Sequence, residues 1–202
     1  MKKKIIVFRA TGMINNKNLE LALSNKDFNV KTYPIMKIKG LPIKEINTKG
    51  CQAILTSSIN SLFFLSKIVK NKNIQIFTLG KFSYQYAKKV GFKNIIDCNG
   101  DGVKMLDIIL NKTKSDKGKI IYAGAKKISV DIPKVLKKYS YEVERILLYD
   151  TENINYFNPK FSELVKKRNL SWIVLLSQKG AKNFFKLFEK AFNSIEKRSI
   201  KY

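Results

Sequence analysis

The sequence predicts an α/β fold in which parallel strands alternate with helices. Eight short apolar runs alternate with seven stretches in which apolar residues recur at helical spacing. Helices of about ten residues between strands are typical of parallel sheets, because a parallel connection must cross over the sheet. No low-complexity tract or long linker interrupts this alternation. We therefore expect parallel sheets with helices on both faces.

The elements follow in chain order. The first strand is predicted over residues 5–8, where IIVF follows three lysines. That run is too short for a signal-peptide core, so we expect a cytoplasmic protein. Seven further apolar runs are predicted as strands, over residues 29–33, 53–55, 75–79, 94–97, 119–122, 143–148 and 172–176. The amphipathic stretches predict helices over residues 19–25, 61–69, 83–90, 103–110, 132–139, 159–167 and 181–192.

The charge is the most unusual property of the composition. Forty basic residues against 15 acidic ones give a formal net charge of +25, and 36 of the basic residues are lysine. A surface selected to bind nucleic acid would favour arginine, whose guanidinium donates paired hydrogen bonds to phosphates and base edges. The lysines are instead scattered over every predicted helix. We interpret the charge as compositional drift, disfavour nucleic-acid binding, and note that such a surface attracts anions, including polycarboxylates.

Several kinds of site are excluded by the composition. The chain contains no histidine, and its two cysteines, Cys51 and Cys98, are far apart. A zinc site, a disulfide framework and a Ser-His-Asp triad are therefore not expected. Neither GxGxxG nor GxxxxGK[ST] occurs, and no run of about 18 apolar residues predicts a membrane span. We expect no cofactor, no metal and no membrane contact.

Hydroxyl groups follow three of the predicted strands. Ligands of parallel sheets bind beyond the carboxyl ends of strands, where helix N-termini present unpaired N–H groups. Ser and Thr at such a junction cap the helix, and they can also bind an anion. Plain capping is the simpler explanation for any one junction, but three together favour binding. The junction residues are Thr56, Ser57, Ser58, Gly80, Lys81, Ser83, Ser177, Gln178 and Lys179.

The chain also contains a weak internal sequence repeat. KKIIVFRATG at the start resembles GKIIYAGAKK at residues 118–127, and each is followed by a helix and a strand. Ser57 and Ser177 are 120 residues apart, and Val30 and Val143 are 113 apart. This pattern indicates a duplication with a period of about 115 residues.

At this point the residues resemble the uroporphyrinogen-III synthase family, whose enzymes close hydroxymethylbilane while inverting one ring. Six segments match in order: VFRATG, AILTSSINSLFFL, TLGKFSYQYAKKVGF, DGVKML, LLYDT and LLSQKGAKNFF. Departures from the family motifs occur at Ala10, Ser61 and Ser83, where proline, alanine and threonine are usual. The residues at matching motif positions are Arg9, Thr56, Ser57, Asn60, Gly80, Tyr149, Thr151 and Ser177.

The resemblance implies two flavodoxin-like parallel-sheet domains facing across a cleft and joined by a two-stranded connector. Domain 1 would be discontinuous, with residues 1–34 plus 152–202, and domain 2 would be inserted as residues 38–148. Residues 33–38 and 147–151 would form the connecting strands. Compared with the family, domain 1 is expected to be incomplete at its C-terminal end. A monomer is expected.

The resemblance further implies a substrate and roles for residues. Hydroxymethylbilane carries eight carboxylates, and the loss of its hydroxyl gives a reactive cation that must be held in shape. Tyr149 is the candidate proton donor, and Arg9 and Lys81 are candidate carboxylate partners. The other expected substrate-binding residues are Thr56, Ser57, Ser58, Asn60, Gly80, Ser83, Ser177, Gln178 and Lys179. A transient contact with hydroxymethylbilane synthase is also expected.

A second class of function stays open on the sequence alone. The same junctions and basic surface would suit a non-catalytic two-lobed protein that binds anions or nucleic acid, or an inactive fragment of the synthase. Tyr149 packing at an interface is the simple alternative to its catalytic role.

Overall fold

The computed structural model describes residues 3–12, 20–22, 28–99, 102–128 and 130–192. In these residues eight strands are present: β1 Lys3–Thr11, β2 Phe28–Gly40, β3 Cys51–Thr56, β4 Gln75–Thr78, β5 Ile95–Asp97, β6 Lys119–Ala125, β7 Val143–Asn153 and β8 Trp172–Leu175. Six helices accompany them: α1 Ile59–Ile68, α2 Lys81–Lys89, α3 Gly102–Lys112, α4 Ile132–Lys138, α5 Pro159–Lys166 and α6 Gln178–Phe192. The predicted helix over residues 19–25 lies outside the described residues, apart from 20–22.

The chain divides into two compact units. Unit 1 joins Met1–Ile38 to Thr151–Tyr202, and unit 2 is Lys39–Asp150. In unit 1, β1 pairs in parallel with β2 and β8. In unit 2 the strand order is β5-β4-β3-β6-β7, again with parallel pairs. The prediction of an α/β fold with parallel strands is confirmed.

Two strands are longer than the sequence predicts. β2 is one strand from Phe28 to Gly40, and it covers both the predicted strand 29–33 and the predicted connecting segment 33–38. β7 likewise covers 143–148 and 147–151. Both divisions between unit 1 and unit 2 fall inside these two strands.

Aromatic rings fill the core of unit 1. Phe8 of β1 lies at its centre, with its ring centroid 4.9 Å from that of Phe161 on α5 and 5.0 Å from that of Phe184 on α6. The amide of Asn183 is buried beside this core and donates to the carbonyl oxygens of Ile35 at 2.8 Å and Ile154 at 3.0 Å. These two bonds fix α6 against β2 and the segment after β7, because breaking them would leave buried carbonyls unpaired.

The core of unit 2 lies between its strands and helices α3 and α4. Leu55, Phe77 and Tyr122 from the sheet pack with Met105 of α3 and Leu136 of α4, all fully buried or nearly so. These strands bury both faces, which is why they read as continuous apolar runs in the sequence.

Gly118 makes the turn into β6 possible. Its φ of +108° lies in a region that L side chains rarely adopt, and a Cβ there would lie 2.5 Å from the carbonyl oxygen of Gly50. The same carbonyl accepts a bond from the Lys119 amide at 3.1 Å, so it cannot move aside freely. Gly50 also has a positive φ, +71°, but nothing lies within 4 Å of its Cβ position.

We predict that Gly118→Ala destabilises the protein more than Gly50→Ala. Gly50→Ala is the control variant, because it introduces only backbone strain, of about 1–2 kcal/mol. Gly118→Ala meets this strain and also a clash with backbone, so its loss in the free energy of unfolding should be clearly larger. Urea denaturation of both variants measures the difference. Equal losses would show that the close approach to Gly50 is not a real constraint.

Candidate functional site

The junction between β3 and α1 is capped by Ser58. Its hydroxyl accepts a hydrogen bond from the Asn60 amide at 3.2 Å, which satisfies one of the unpaired N–H groups of the first turn. Thr56 ends β3 with its side chain fully buried, and its hydroxyl donates to the Ser58 carbonyl at 3.4 Å. Ser57, between them, is exposed. Three consecutive hydroxyl groups thus have three different environments.

Tyr149 of β7 reaches this junction from across unit 2. Its phenol donates to the Ser58 hydroxyl at 3.0 Å, although the residues are 91 positions apart in sequence, and the side chain is only 5% exposed. The ring of Phe64 on α1 stacks on that of Tyr149, with centroids 5.9 Å apart and an interplanar angle of 20°. A side chain at Gly40 would clash with Phe64, since the Cβ position is 2.7 Å from its ring. The phenol is therefore fixed both by its hydroxyl and by its ring.

A second tyrosine contacts the neighbouring serine. The hydroxyl oxygens of Tyr122 and Ser57 lie 3.1 Å apart, and Tyr122 is 1% exposed. Burial raises the pKa of the Tyr122 phenol, while the hydrogen bond with Ser57 and the charge of Arg145 oppose this rise. The phenol therefore stays neutral at physiological pH.

Sequence reasoning missed both Tyr122 and Phe64. Each lies within an apolar run, IIYAGA or LFFL, where an aromatic residue is typical of a core. The hydroxyl of Tyr122 could have indicated a polar contact at this position, because a buried tyrosine normally has a hydrogen-bond partner.

Ser61 adds a further hydroxyl to the first turn of α1. It is fully buried, and its Oγ has no hydrogen-bond partner among the described residues. It lies beside β6, where its Oγ is 3.9 Å from the Cβ position of Gly124.

The junction between β4 and α2 differs from the prediction. The helix begins at Lys81 rather than at Ser83, and its N-cap is Gly80, with φ +81° and no side-chain hydrogen bond. Ser83 is therefore inside the helix and 6% exposed, so the expectation that it opens the helix is wrong. A glycine tolerates this N-cap conformation, which is why the helix can start two residues earlier. Lys81 is exposed.

In unit 1 the third junction is capped as expected, but α6 begins at Gln178 rather than at residue 181. The Ser177 hydroxyl accepts a bond from the Gly180 amide at 3.1 Å. Lys179 donates to the Thr151 carbonyl at 3.3 Å and also to the Thr151 hydroxyl. Ser177, Gln178 and Lys179 are all exposed.

Arg9 lies at the same end of the unit 1 sheet. The register pairs Phe8 of β1 with Leu175, the last residue of β8, so Arg9 lies within β1 beside the carboxyl end of β8, which Ser177 follows. Unit 1 thus has Arg9, Ser177, Gln178 and Lys179 at the same end of its sheet. Unit 2 brings together Tyr149 with Thr56, Ser57, Ser58 and Asn60, while Gly80, Lys81 and Ser83 follow β4, which pairs with β3.

The described part of the chain contains no group of three or more Cys, Asp or Glu placed to hold a metal ion. None of its helices has the length and apolar character that a membrane crossing requires.

Comparisons with known proteins identify the family. A sequence model of uroporphyrinogen-III synthase HemD matches residues 17–202. The fold is similar to that of the uroporphyrinogen-III synthetase of Helicobacter pylori, with a TM-score of 0.61 and 17% identity, over 94% of this chain and 79% of that one. It is also similar to a mutant uroporphyrinogen III synthase of Thermus thermophilus, with a TM-score of 0.57 and 11% identity, over 91% and 76% of the two chains.

No curated protein sequence matches the chain significantly. At such low identities the two structures show the fold alone, whereas the sequence model extends over most of the chain. The resemblance seen in the sequence is confirmed: the chain belongs to the uroporphyrinogen-III synthase family, whose enzymes act in tetrapyrrole biosynthesis.

Proposed function

We propose that this enzyme converts hydroxymethylbilane to uroporphyrinogen III with Tyr149 as the proton donor to the leaving hydroxyl. The observation that carries this role is the hydrogen bond from the Tyr149 phenol to Ser58, which holds the phenol at the junction between β3 and α1. The bond between carbon and the hydroxyl oxygen breaks, and the oxygen leaves as water with the proton from Tyr149. The substituted α carbon of the last pyrrole then attacks the cation and forms a spiro intermediate. The bond from that carbon to its original methylene bridge breaks and re-forms at the free α carbon of the same ring, which inverts the ring, and that carbon loses its proton.

Ser58 has a defined part in this step. Its Oγ accepts from both the Tyr149 phenol and the Asn60 amide, so its own hydrogen takes the remaining direction and is not needed for either bond. To protonate the leaving hydroxyl, the O–H of Tyr149 turns from Ser58 to the substrate oxygen, and after the transfer the Ser58 hydroxyl can turn and donate to the phenolate. Ring closure later releases a proton, which restores the phenol. The group therefore returns to its starting state without a histidine or a carboxylate pair.

The junction groups would bind the carboxylates of the substrate. In unit 1, Arg9 and Lys179 supply positive charge, Ser177 caps α6 and Gln178 begins it, at the helix end where the dipole favours an anion. In unit 2, Lys81 begins α2 directly after its N-cap Gly80, and Ser83 lies in the first turn of that helix. At the other junction Thr56 ends β3, Ser57 follows it, Ser58 caps α1 and Asn60 lies in the first turn. Because Thr56 and Ser83 are buried, their part would be to position the backbone rather than to touch the substrate.

The two compact units support the proposal of two flavodoxin-like domains, because each unit combines parallel strands with intervening helices. A monomeric state, a cytoplasmic location and a transient contact with hydroxymethylbilane synthase stay predictions. The family assignment favours the enzyme over a non-catalytic anion binder.

The test of the proposed function is an assay of the isomer formed. We expect hydroxymethylbilane to yield uroporphyrinogen III with this enzyme, and Tyr149→Phe to lower kcat about tenfold. That is less than the usual factor of 10²–10⁴ for a general acid, because the hydroxyl also leaves unaided. Oxidation of the products followed by chromatography separates type III from type I.

Tyr139→Phe is the matched control, because Tyr139 is an exposed tyrosine of the same unit, 55% accessible. It should keep kcat. A wild-type enzyme that yields type I alone would overturn the function, whereas an unchanged kcat in Tyr149→Phe would overturn the role of the phenol only.

For the carboxylate partners we predict that Arg9→Met raises the KM for hydroxymethylbilane about tenfold, the equivalent of about 1.4 kcal/mol. Lys3→Met removes the same charge from the exposed amino end of the same strand, so it controls for general attraction by the +25 surface. Steady-state kinetics at fixed ionic strength measure both. Equal changes in KM would mean that Arg9 contributes only to the overall charge.

A further inference from the structure

We propose that Tyr122 is a positioning residue for the reaction, and that it acts through Ser57 on the hydroxyl pair of Ser58 and Tyr149. The proposal rests on the proposed role of Tyr149. It assigns a function to a phenol that belongs to the core of unit 2 and that lies within hydrogen-bond distance of the site.

The register of the sheet places Tyr122 beside the junction. β6 pairs in parallel with β3, and Tyr122 is the partner of Leu55, two residues before Ser57. From this position the phenol reaches forward to the Ser57 hydroxyl at 3.1 Å. Among the described residues, Ser57 is its hydrogen-bond partner.

Two tyrosines therefore hold two consecutive serines. Tyr122 bonds to Ser57 at 3.1 Å, and Tyr149 bonds to Ser58 at 3.0 Å. Ser57 is exposed, so without Tyr122 its side chain would rotate in solvent. The bond restricts the Ser57 side chain and, through it, the peptide that joins Ser57 to Ser58. The position of the Ser58 hydroxyl oxygen depends on that peptide, and the Tyr149 phenol is bonded to this oxygen.

Tyr122 is suited to positioning rather than to proton transfer. Its ring is 1% exposed and packs in the core, so the hydroxyl is a fixed point attached to the sheet. Burial raises the pKa of this phenol, which keeps it neutral and able to donate a hydrogen bond. The proposed reaction selects its isomer by the geometry of the bound substrate, so it depends on side chains that are held in place as the Tyr122 hydroxyl is.

The simpler explanation is that the core tyrosine takes the nearest partner for its hydroxyl. The two explanations differ in what the loss of the hydroxyl changes. A partner taken for stability alone affects unfolding and leaves the turnover of the folded enzyme intact. A positioning contact lowers kcat while substrate affinity stays nearly constant.

The test compares Tyr122→Phe with Ser57→Ala, which removes the other half of the contact at an exposed site and so keeps the fold. We expect kcat to fall about threefold in each, less than the full value of one neutral hydrogen bond, with KM within about twofold in Tyr122→Phe, which leaves the Ser57 hydroxyl in place. The double variant should be no slower than the slower single variant, because one contact is lost in both. Tyr139→Phe is the control and should match the wild type.

The same change in a Tyr149→Phe background separates this proposal from the function on which it rests. In that background, Tyr122→Phe should lower kcat no further, because the Tyr149 phenol that Tyr122 positions is already absent. Unchanged kcat in Tyr122→Phe with a slow Tyr149→Phe would overturn the positioning role alone. A further threefold loss in the Tyr149→Phe background would also overturn it. Unchanged kcat in Tyr149→Phe would overturn both proposals.

Discussion

The hydrogen bond from the Tyr149 phenol to the Ser58 hydroxyl is the constraint on which the site in unit 2 depends. It joins β7, the last strand of the unit, to the first turn of α1, and its acceptor is the residue that caps that helix. The phenol is thereby placed by the same atom that satisfies the Asn60 amide. Stacking by Phe64 fixes the ring, so both ends of the tyrosine are held by α1. The placement of the proposed proton donor thus follows from an ordinary capping contact.

The periodicity of the sequence was sufficient to predict the fold class. Buried parallel strands must be apolar on both faces, and runs such as IIVF and KIIY show this directly. The continuity of β2 was not predicted: residues 29–33 and 33–38 were expected as separate strands, and Pro34, which lacks an N–H group, favours a break between them. In the structure, Pro34 pairs with Arg9, and the register shifts between Arg9 and Ala10. A local irregularity at the proline lets the strand continue, and such an irregularity leaves no sequence signal.

The candidate site was predictable in its residue types but less so in its geometry. Hydroxyl groups after strands indicated the junctions, and the capping roles of Ser58 and Ser177 follow from local chemistry. The start of α2 was misplaced because its cap is Gly80, whose contribution comes from a positive φ rather than from a side chain. The contacts of Ser58 with Tyr149 and of Ser57 with Tyr122 span 91 and 65 residues. Only the register of the sheet and the packing of α1 bring these pairs together.

The proposed chemistry needs little from the protein beyond the correct placement of its groups. A single phenol that donates to a serine can assist the departure of a hydroxyl and recover its proton after ring closure. The most direct test is the solvent deuterium isotope effect on kcat, measured for the wild type and for Tyr149→Phe. If proton transfer from Tyr149 contributes to the rate, kcat of the wild type should fall in heavy water, and this effect should be largely lost in Tyr149→Phe. An isotope effect of the same size in both enzymes would contradict the account.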